Sequence, residues 1–218
     1  MLELFGHPFS SYTWKALIPL YENGTDFRFR ALGPDQPENG AELARHWPLA
    51  KFPLLVDAGR PVMESTVIIE YLDLHHPGAT RFLPQSADAA IDVRMLDRIF
   101  DNHVMGPMQR VVVDAMRSPE RRDPVEVEQA KAALERAYGW LETWLKDRDW
   151  AAAGAFTLAD CAAAPALFYA DWVHPIAGAY PTVAAYRARL LARPSVARCV
   201  EDARPYRAYF PPGAPDRN

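Results

Sequence analysis

The segment Lys51-Phe52-Pro53-Leu54-Leu55-Val56 places a proline where a loop enters a strand, and Glu64-Ser65 follows eleven residues after that proline. An X-Pro bond is the kind that adopts cis readily, usually in a turn. With Phe52-Pro53 cis, the Phe52 N–H and C=O turn outward and can pair with an extended peptide as an added strand. Glu64-Ser65 opens the helix-like run Thr66 to Leu72, whose free N–H groups and positive dipole end favour a bound carboxylate. A trans proline entering an edge strand, with Ser65 a plain N-cap, is the competing account of each half taken alone. The two halves at this spacing favour a site for a peptide with a free α-carboxylate, such as a γ-glutamyl peptide.

The elements that must position these residues alternate between strand and helix. Leu2-Glu3-Leu4-Phe5 reads as a strand ended by Gly6-His7-Pro8. From Ser10 to Asn23, Trp14, Leu17, Ile18 and Tyr21 fall on one helical face, Asn23-Gly24 supplies the stop, and Pro19 should bend the helix. Asp26 to Ala31 alternates as a strand. A polar stretch from Gly33 to Gly40 reads as loop, followed by a short helix over 41–46. Phe52 to Val56 and Pro61 to Met63 read as strands, and Ser65 to His75 as a helix. The order is βαβ, then β, β, α.

Past His76 the pattern changes. Residues 79–87 read as a linker, and no convincing strand follows. Asp88 to Met116 keeps a helical period through Val93, Leu96, Phe100 and Val104, with a kink expected at Gly106-Pro107. Further helices fit 126–146, 158–171, 183–192 and 195–203, and the tail from Arg204 reads as irregular chain. The expected division is residues 1–78, a linker at 79–87, and an all-helical unit at 88–218. Thr157-Leu158-Ala159-Asp160 is a capping box, read as structural.

Composition narrows the function. The chain has 218 residues, half of them hydrophobic, and a net charge of −4 with no basic tract, which argues against a nucleic-acid surface. No apolar run reaches the length of a membrane span, and the Met1 end lacks a signal-peptide layout. Cys161 and Cys199 lie far apart in helical segments and read as buried free thiols, so the cytoplasm is the expected compartment. No Cys-x-x-Cys occurs. His75-His76 reads as a solvated helix end, and no metal site is expected. His7 could serve as an acid or base, but a loop histidine beside proline is more often a surface or packing residue.

Taken in order, Phe52-Pro53 with Glu64-Ser65, the Pro-rich linker, Thr157-Leu158-Ala159-Asp160 and Arg193-Pro194-Ser195-Val196 resemble the cytosolic glutathione transferase family over nearly the whole chain. The resemblance implies a thioredoxin-like N-terminal domain followed by an all-α domain. It implies that Glu64 and Ser65 bind the γ-glutamyl carboxylate and amine of glutathione, that Phe52, before Pro53, pairs with the cysteinyl backbone, and that Lys51 lies near the glycyl carboxylate. A free thiol, with a pKa of about 8.5, is mostly protonated at neutral pH. A hydroxyl aimed at the sulfur from a helix start stabilises the thiolate. The serine-type, zeta-like branches place that hydroxyl at Ser10, or at Ser11 one residue later. With neither position Cys, disulfide-reducing chemistry is disfavoured.

A small hydrophobic electrophile is expected between the domains, against Phe9, Tyr12, Asn102, Met105 and Met108. The leading function is a glutathione transferase. The alternatives are a glutathione-dependent isomerase, lyase or dehalogenase, and a binding module without turnover. The resemblance also implies a homodimer.

Overall fold

The computed structural model describes residues 1–176 and 178–218. Its sheet has four strands, β1 (Leu2–Gly6), β2 (Phe27–Ala31), β3 (Leu54–Asp57) and β4 (Arg60–Val62), in the order β2-β1-β3-β4. β1 pairs parallel with β2, and antiparallel with β3 through Phe5 opposite Leu54. The parallel pair needs a crossover, which α1 (Ser11–Glu22) supplies. Phe5, Leu54 and Val56 bury one face of the sheet with Leu43 of α2 (Pro37–His46). Leu4 and Leu55 face the other way, into the main core with Trp14, Leu17 and Ile69. The last of these belongs to α3 (Ser65–His75), which begins and ends where the sequence pattern places it.

α2 begins at Pro37, inside the stretch expected to be loop. Proline at the first helical position loses no hydrogen bond, and Glu38 complements the dipole there. Asn39 then turns inward: its amide donates to Ala31 O at 2.8 Å and its oxygen accepts from Arg30 at 2.8 Å. The polar composition of this segment is therefore a helix anchored to β2.

The remaining helices are α4 (Ala87–Ile99), α5 (Gly106–Met116), α6 (Pro124–Trp144), α7 (Leu158–Val173), α8 (Pro181–Ala192) and α9 (Pro194–Ala203). Between α4 and α5 the chain keeps its course but widens into a π-helical turn, Phe100–Met105, where the kink was expected at Gly106-Pro107. Gly106 and Pro107 open α5, and the Gly106 N–H still donates to Asp101 O, five residues back, so the helix is continuous through the turn. The tail winds into a 3-10 turn, Arg204–Tyr209, where irregular chain was expected. Among the described residues, no helix is long and apolar enough to cross a membrane.

α7 is the spine of the helical half: all sixteen of its residues are buried. Its start is fixed by Asp160, whose carboxylate accepts from Thr157 N (2.8 Å), Ala151 N (3.0 Å) and the Tyr186 hydroxyl (2.6 Å). Burial raises the Asp160 pKa, and these donors pull against it. Such a cluster is structural, as the capping box implied. α7 also packs on α1, so the strand-containing half and the helical half share one continuous core.

Candidate functional site

Two adjoining cavities open beside the start of α1. The first, about 370 Å³, carries the charged and polar side chains of Lys51, Glu64, Ser65, Arg98 and Asp101, with Phe52 among its apolar lining. The second, about 450 Å³, is mainly apolar and is lined among others by Phe9, Ser10, Ser11, Met108, Tyr169 and Phe210. Tyr12 and Phe52 line both, so these two side chains form the boundary between them.

The polar cavity is built on the entry to β3 and the start of α3. The Phe52–Pro53 peptide bond is cis. Among the described residues the Phe52 N–H and C=O have no hydrogen-bond partner, although Phe52 lies only two positions before the first strand residue, Leu54. Glu64, the N-cap of α3, holds φ at +66° and makes no side-chain cap. A non-glycine residue held there costs on the order of 1–3 kcal/mol, a cost that tends to concentrate at functional sites. The uncapped first turn, with Ser65 and Thr66, opens on the cavity. Its unpaired N–H groups and the dipole make it an anion site.

The cavity wall contributed by the helical half is a charge cluster that the sequence patterns did not reveal. Lys15, fully buried in α1, lies 2.5 Å from Asp97 Oδ1 and 2.7 Å from Asp101 Oδ2, and donates to Thr66 Oγ1 at 2.9 Å. Arg98 closes the group from the solvent side, 2.5 Å from Asp97 and 2.6 Å from Asp101, with a further bond to Thr66 Oγ1. Burial raises the Asp101 pKa, and Lys15 opposes that rise. Two cations and two anions cancel, so the cluster stands at the cavity edge without net charge. Asp97, Arg98 and Asp101 are close in sequence, but Lys15 and Thr66 come from elements far along the chain.

The apolar cavity is shaped by the loop between β1 and α1. Gly6 lets Thr13 of α1 approach the strand: a Cβ there would sit 2.6 Å from Thr13 Cγ2. Trp14 Nε1 donates to Pro8 O at 2.6 Å and the Tyr169 hydroxyl donates to Phe9 O at 2.9 Å, tying the loop to α1 and α7. Ser10 is the N-cap of α1, its Oγ accepting from Thr13 N at 3.3 Å. That bond leaves the hydroxyl proton free to donate elsewhere. Ser11 is the first helical residue and largely buried, with its side chain on the same cavity. Burial, reinforced by Asp101, pushes the Tyr12 pKa up to about 12, so its phenol is a donor at neutral pH. Cys161 and Cys199 are fully buried with their pKa values raised by burial, which makes both poor nucleophiles.

The expected electrophile-site residues divide. Phe9, Tyr12 and Met108 line the apolar cavity. Asn102 lines the polar one instead, and Met105 is 1% exposed in the core and lines neither. Both belong to the π turn, an element that packs against α7. Gln109, Tyr169 and Phe210 join the lining without having been anticipated, the last two because α7 and the tail come near only through tertiary packing.

Residues 4–80 match the family model for the glutathione S-transferase N-terminal domain, and residues 104–194 match that for the C-terminal domain. The chain belongs to the glutathione S-transferase family. The two matches together span most of this transferase, in the order its strands and helices require. Among curated relatives, glutathione S-transferase F6 of Arabidopsis thaliana is 26% identical over 204 residues, covering 89% of this chain and 96% of that protein. A probable glutathione S-transferase GSTU1 of Oryza sativa is 37% identical over 95 residues, a match that spans only 39% of the rice protein. Among solved structures, a glutathione S-transferase from Methylobacillus flagellatus with glutathione bound superposes with a TM-score of 0.80. It is 26% identical and covers 91% of this chain and 98% of its own.

Proposed function

We propose that this transferase binds glutathione in the polar cavity, ionises its thiol at the start of α1, and delivers the thiolate to a small apolar electrophile in the adjoining cavity. One observation carries the reading: the uncapped first turn of α3 and the unpaired Phe52 backbone open on one cavity whose charges suit a tripeptide with two carboxylates and one ammonium. The γ-glutamyl carboxylate lies on Ser65 and the N–H groups of α3. Its ammonium faces Glu64 and Asp101. The cysteinyl backbone pairs with Phe52, next to Pro53, and Lys51 takes the glycyl carboxylate.

That pose points the cysteine side chain past Phe52 and Tyr12 toward Ser10 and Ser11. A hydroxyl donor and the positive end of α1 there favour the thiolate over the thiol. Holding the anion beside a bound electrophile supplies the rest, by proximity and by exclusion of water. Phe9, Tyr12 and Met108 shape the second-substrate cavity. The domain division that fits this pose runs 1–78, 79–87 and 88–218, with the helical unit contributing Arg98, Asp101 and Asn102. The buried free thiols suit a reducing compartment, the cytoplasm.

A homodimer is part of the reading. Val67 and Leu74 of α3 and Ile91 and Met95 of α4 are exposed apolar side chains on helices tied together by Arg94 and Glu70 at 2.8 Å. Apolar groups on adjoining helices suit burial against a second copy.

The test is the ultraviolet absorbance of the bound glutathione thiolate, titrated in wild type, Ser10→Ala and Ser11→Ala. The expected result is a bound thiol pKa well below about 8.5 in wild type and a return toward that value in one of the variants. A wild-type thiol that titrates as free glutathione does would remove the thiolate mechanism. Binding without turnover of any electrophile would favour a non-catalytic module, and release of halide or isomerised product would favour the alternative chemistries.

A further inference from the structure

The apolar cavity contains one imidazole, that of His7, whose polar edge the transferase reading leaves unused. Its backbone N–H donates to Thr13 Oγ1 at 3.3 Å, and its ring packs edge-on against Tyr206 with centroids 4.7 Å apart. Its Nδ1 accepts from the Phe9 N–H at 3.1 Å. An imidazole nitrogen that accepts a hydrogen bond carries no proton, so in the neutral ring the proton sits on Nε2. Burial lowers the His7 pKa, which keeps the ring in that neutral form at pH 7. Among the described residues Nε2 has no hydrogen-bond partner.

We propose that the Nε2–H of His7 donates a hydrogen bond to the second substrate and so selects electrophiles whose reactive carbon is conjugated to an acceptor oxygen, such as α,β-unsaturated ketones and aldehydes. The inference rests on the transferase reading and deepens it. In the step it assists, sulfur forms a bond to the β-carbon and the C=C electron pair moves onto the carbonyl oxygen. His7 donates to that oxygen without surrendering its proton, because a neutral imidazole is far too weak an acid to ionise here. The α-carbon then takes a proton from water, matching the one that the thiol released to solvent. A donor preset on a developing oxyanion in a cavity that excludes water acts on the transition state more than on the bound substrate. The cavity's other described residues are mostly apolar, so an unconjugated electrophile gains nothing from this donor.

The test separates the two nitrogens of the ring. In His7→Asn the side-chain oxygen can still accept from the Phe9 N–H as an Asx turn, but no donor stands at the place of Nε2. In His7→Gln the amide N–H₂ stands near the original Nε2. Each enzyme is assayed with glutathione and two probes, benzylideneacetone as the aryl enone and benzyl chloride as the acceptor-free electrophile, and the readout is the ratio of their kcat/KM values. We expect this ratio to fall by at least about 10-fold in His7→Asn and to recover in His7→Gln. An unchanged ratio in His7→Asn, or an equal fall in both variants, overturns the proposal while leaving the transferase reading in place. A wild-type protein that turns over benzyl chloride but not benzylideneacetone overturns this proposal alone, and one that binds glutathione yet turns over no electrophile overturns both. Independently of any variant, nitrogen-15 NMR of the wild-type imidazole should show the proton on Nε2, and a proton on Nδ1 would overturn the proposal.

Discussion

Lys15 and Asp101 meet at 2.7 Å across the junction of the two halves, both buried, one on α1 and the other on the π turn that follows α4. Lys15 also neutralises Asp97, so removing it strands two carboxylates beside a single half-exposed Arg98. Lys15→Met should therefore destabilise the fold by about 3–5 kcal/mol, the usual cost of an uncompensated buried charge. Urea unfolding measures it. Adding Asp101→Asn to that variant should restore part of the loss, because one stranded charge is then gone.

Lys51 is tested by a paired comparison. Lys51→Ala should weaken glutathione binding about 10-fold, the effect of losing one charge-assisted hydrogen bond. The same substitution should matter far less for glutathione esterified on its glycyl carboxylate. Calorimetry with both ligands on both proteins gives the cycle. Equal losses for the two ligands would move Lys51 away from that carboxylate.

The exposed face of α3 and α4 predicts the oligomer. Wild type should sediment as a dimer at micromolar concentration, and Leu74→Glu combined with Ile91→Glu should sediment as a monomer, since charges there cannot be buried unpaired. A wild-type monomer at that concentration would refute the homodimer.

Glu22 gives a pH dependence with a definite sign. Burial alone would raise its pKa, but bonds from Arg193 Nε (2.9 Å) and Ser195 Oγ (2.7 Å) outweigh burial and hold it below the ordinary value of 4.5. The folded protein thus binds this proton less readily than the unfolded chain does. The resulting stabilisation is fully present above that ordinary value and is lost as pH falls through the folded one. The gap in urea midpoint between wild type and Glu22→Gln should stay level at about pH 6 and above, then shrink toward about pH 3.5.

Local signals made much of the fold legible. The α3 bounds followed from Glu64-Ser65 and an apolar period, and the α7 start from a capping box whose residues are adjacent in sequence. Pro37-Glu38 carried the same kind of signal for α2, but Gly33 to Gly40 outweighed it in a composition-based reading. The π turn left no trace, because an apolar period cannot distinguish a turn bonded to the fifth residue from one bonded to the fourth. Within that turn Met105 is buried and Asn102 lines the polar cavity. The Lys15 cluster was illegible for another reason: its four charged members belong to helices that meet only after the chain has folded. His7 reads from sequence as a surface or packing residue, or else an acid or base, and its ring meets Tyr206. The bond that orients its ring comes from a backbone N–H two residues on, which a pattern of side chains does not reveal.

The wide turn at Phe100–Met105 makes the cavity wall answer to the number of residues as well as to their kinds. A π turn holds one residue more than the α-helical stretch it replaces, so α4 and α5 keep a common phase across it. Removing one residue there would restore ordinary winding with Met108 still on the apolar cavity, while the loss would fall beside Asp101 and Asn102 on the polar one. A single-codon deletion would thus act on the wall that faces the tripeptide and spare the one that faces the second substrate.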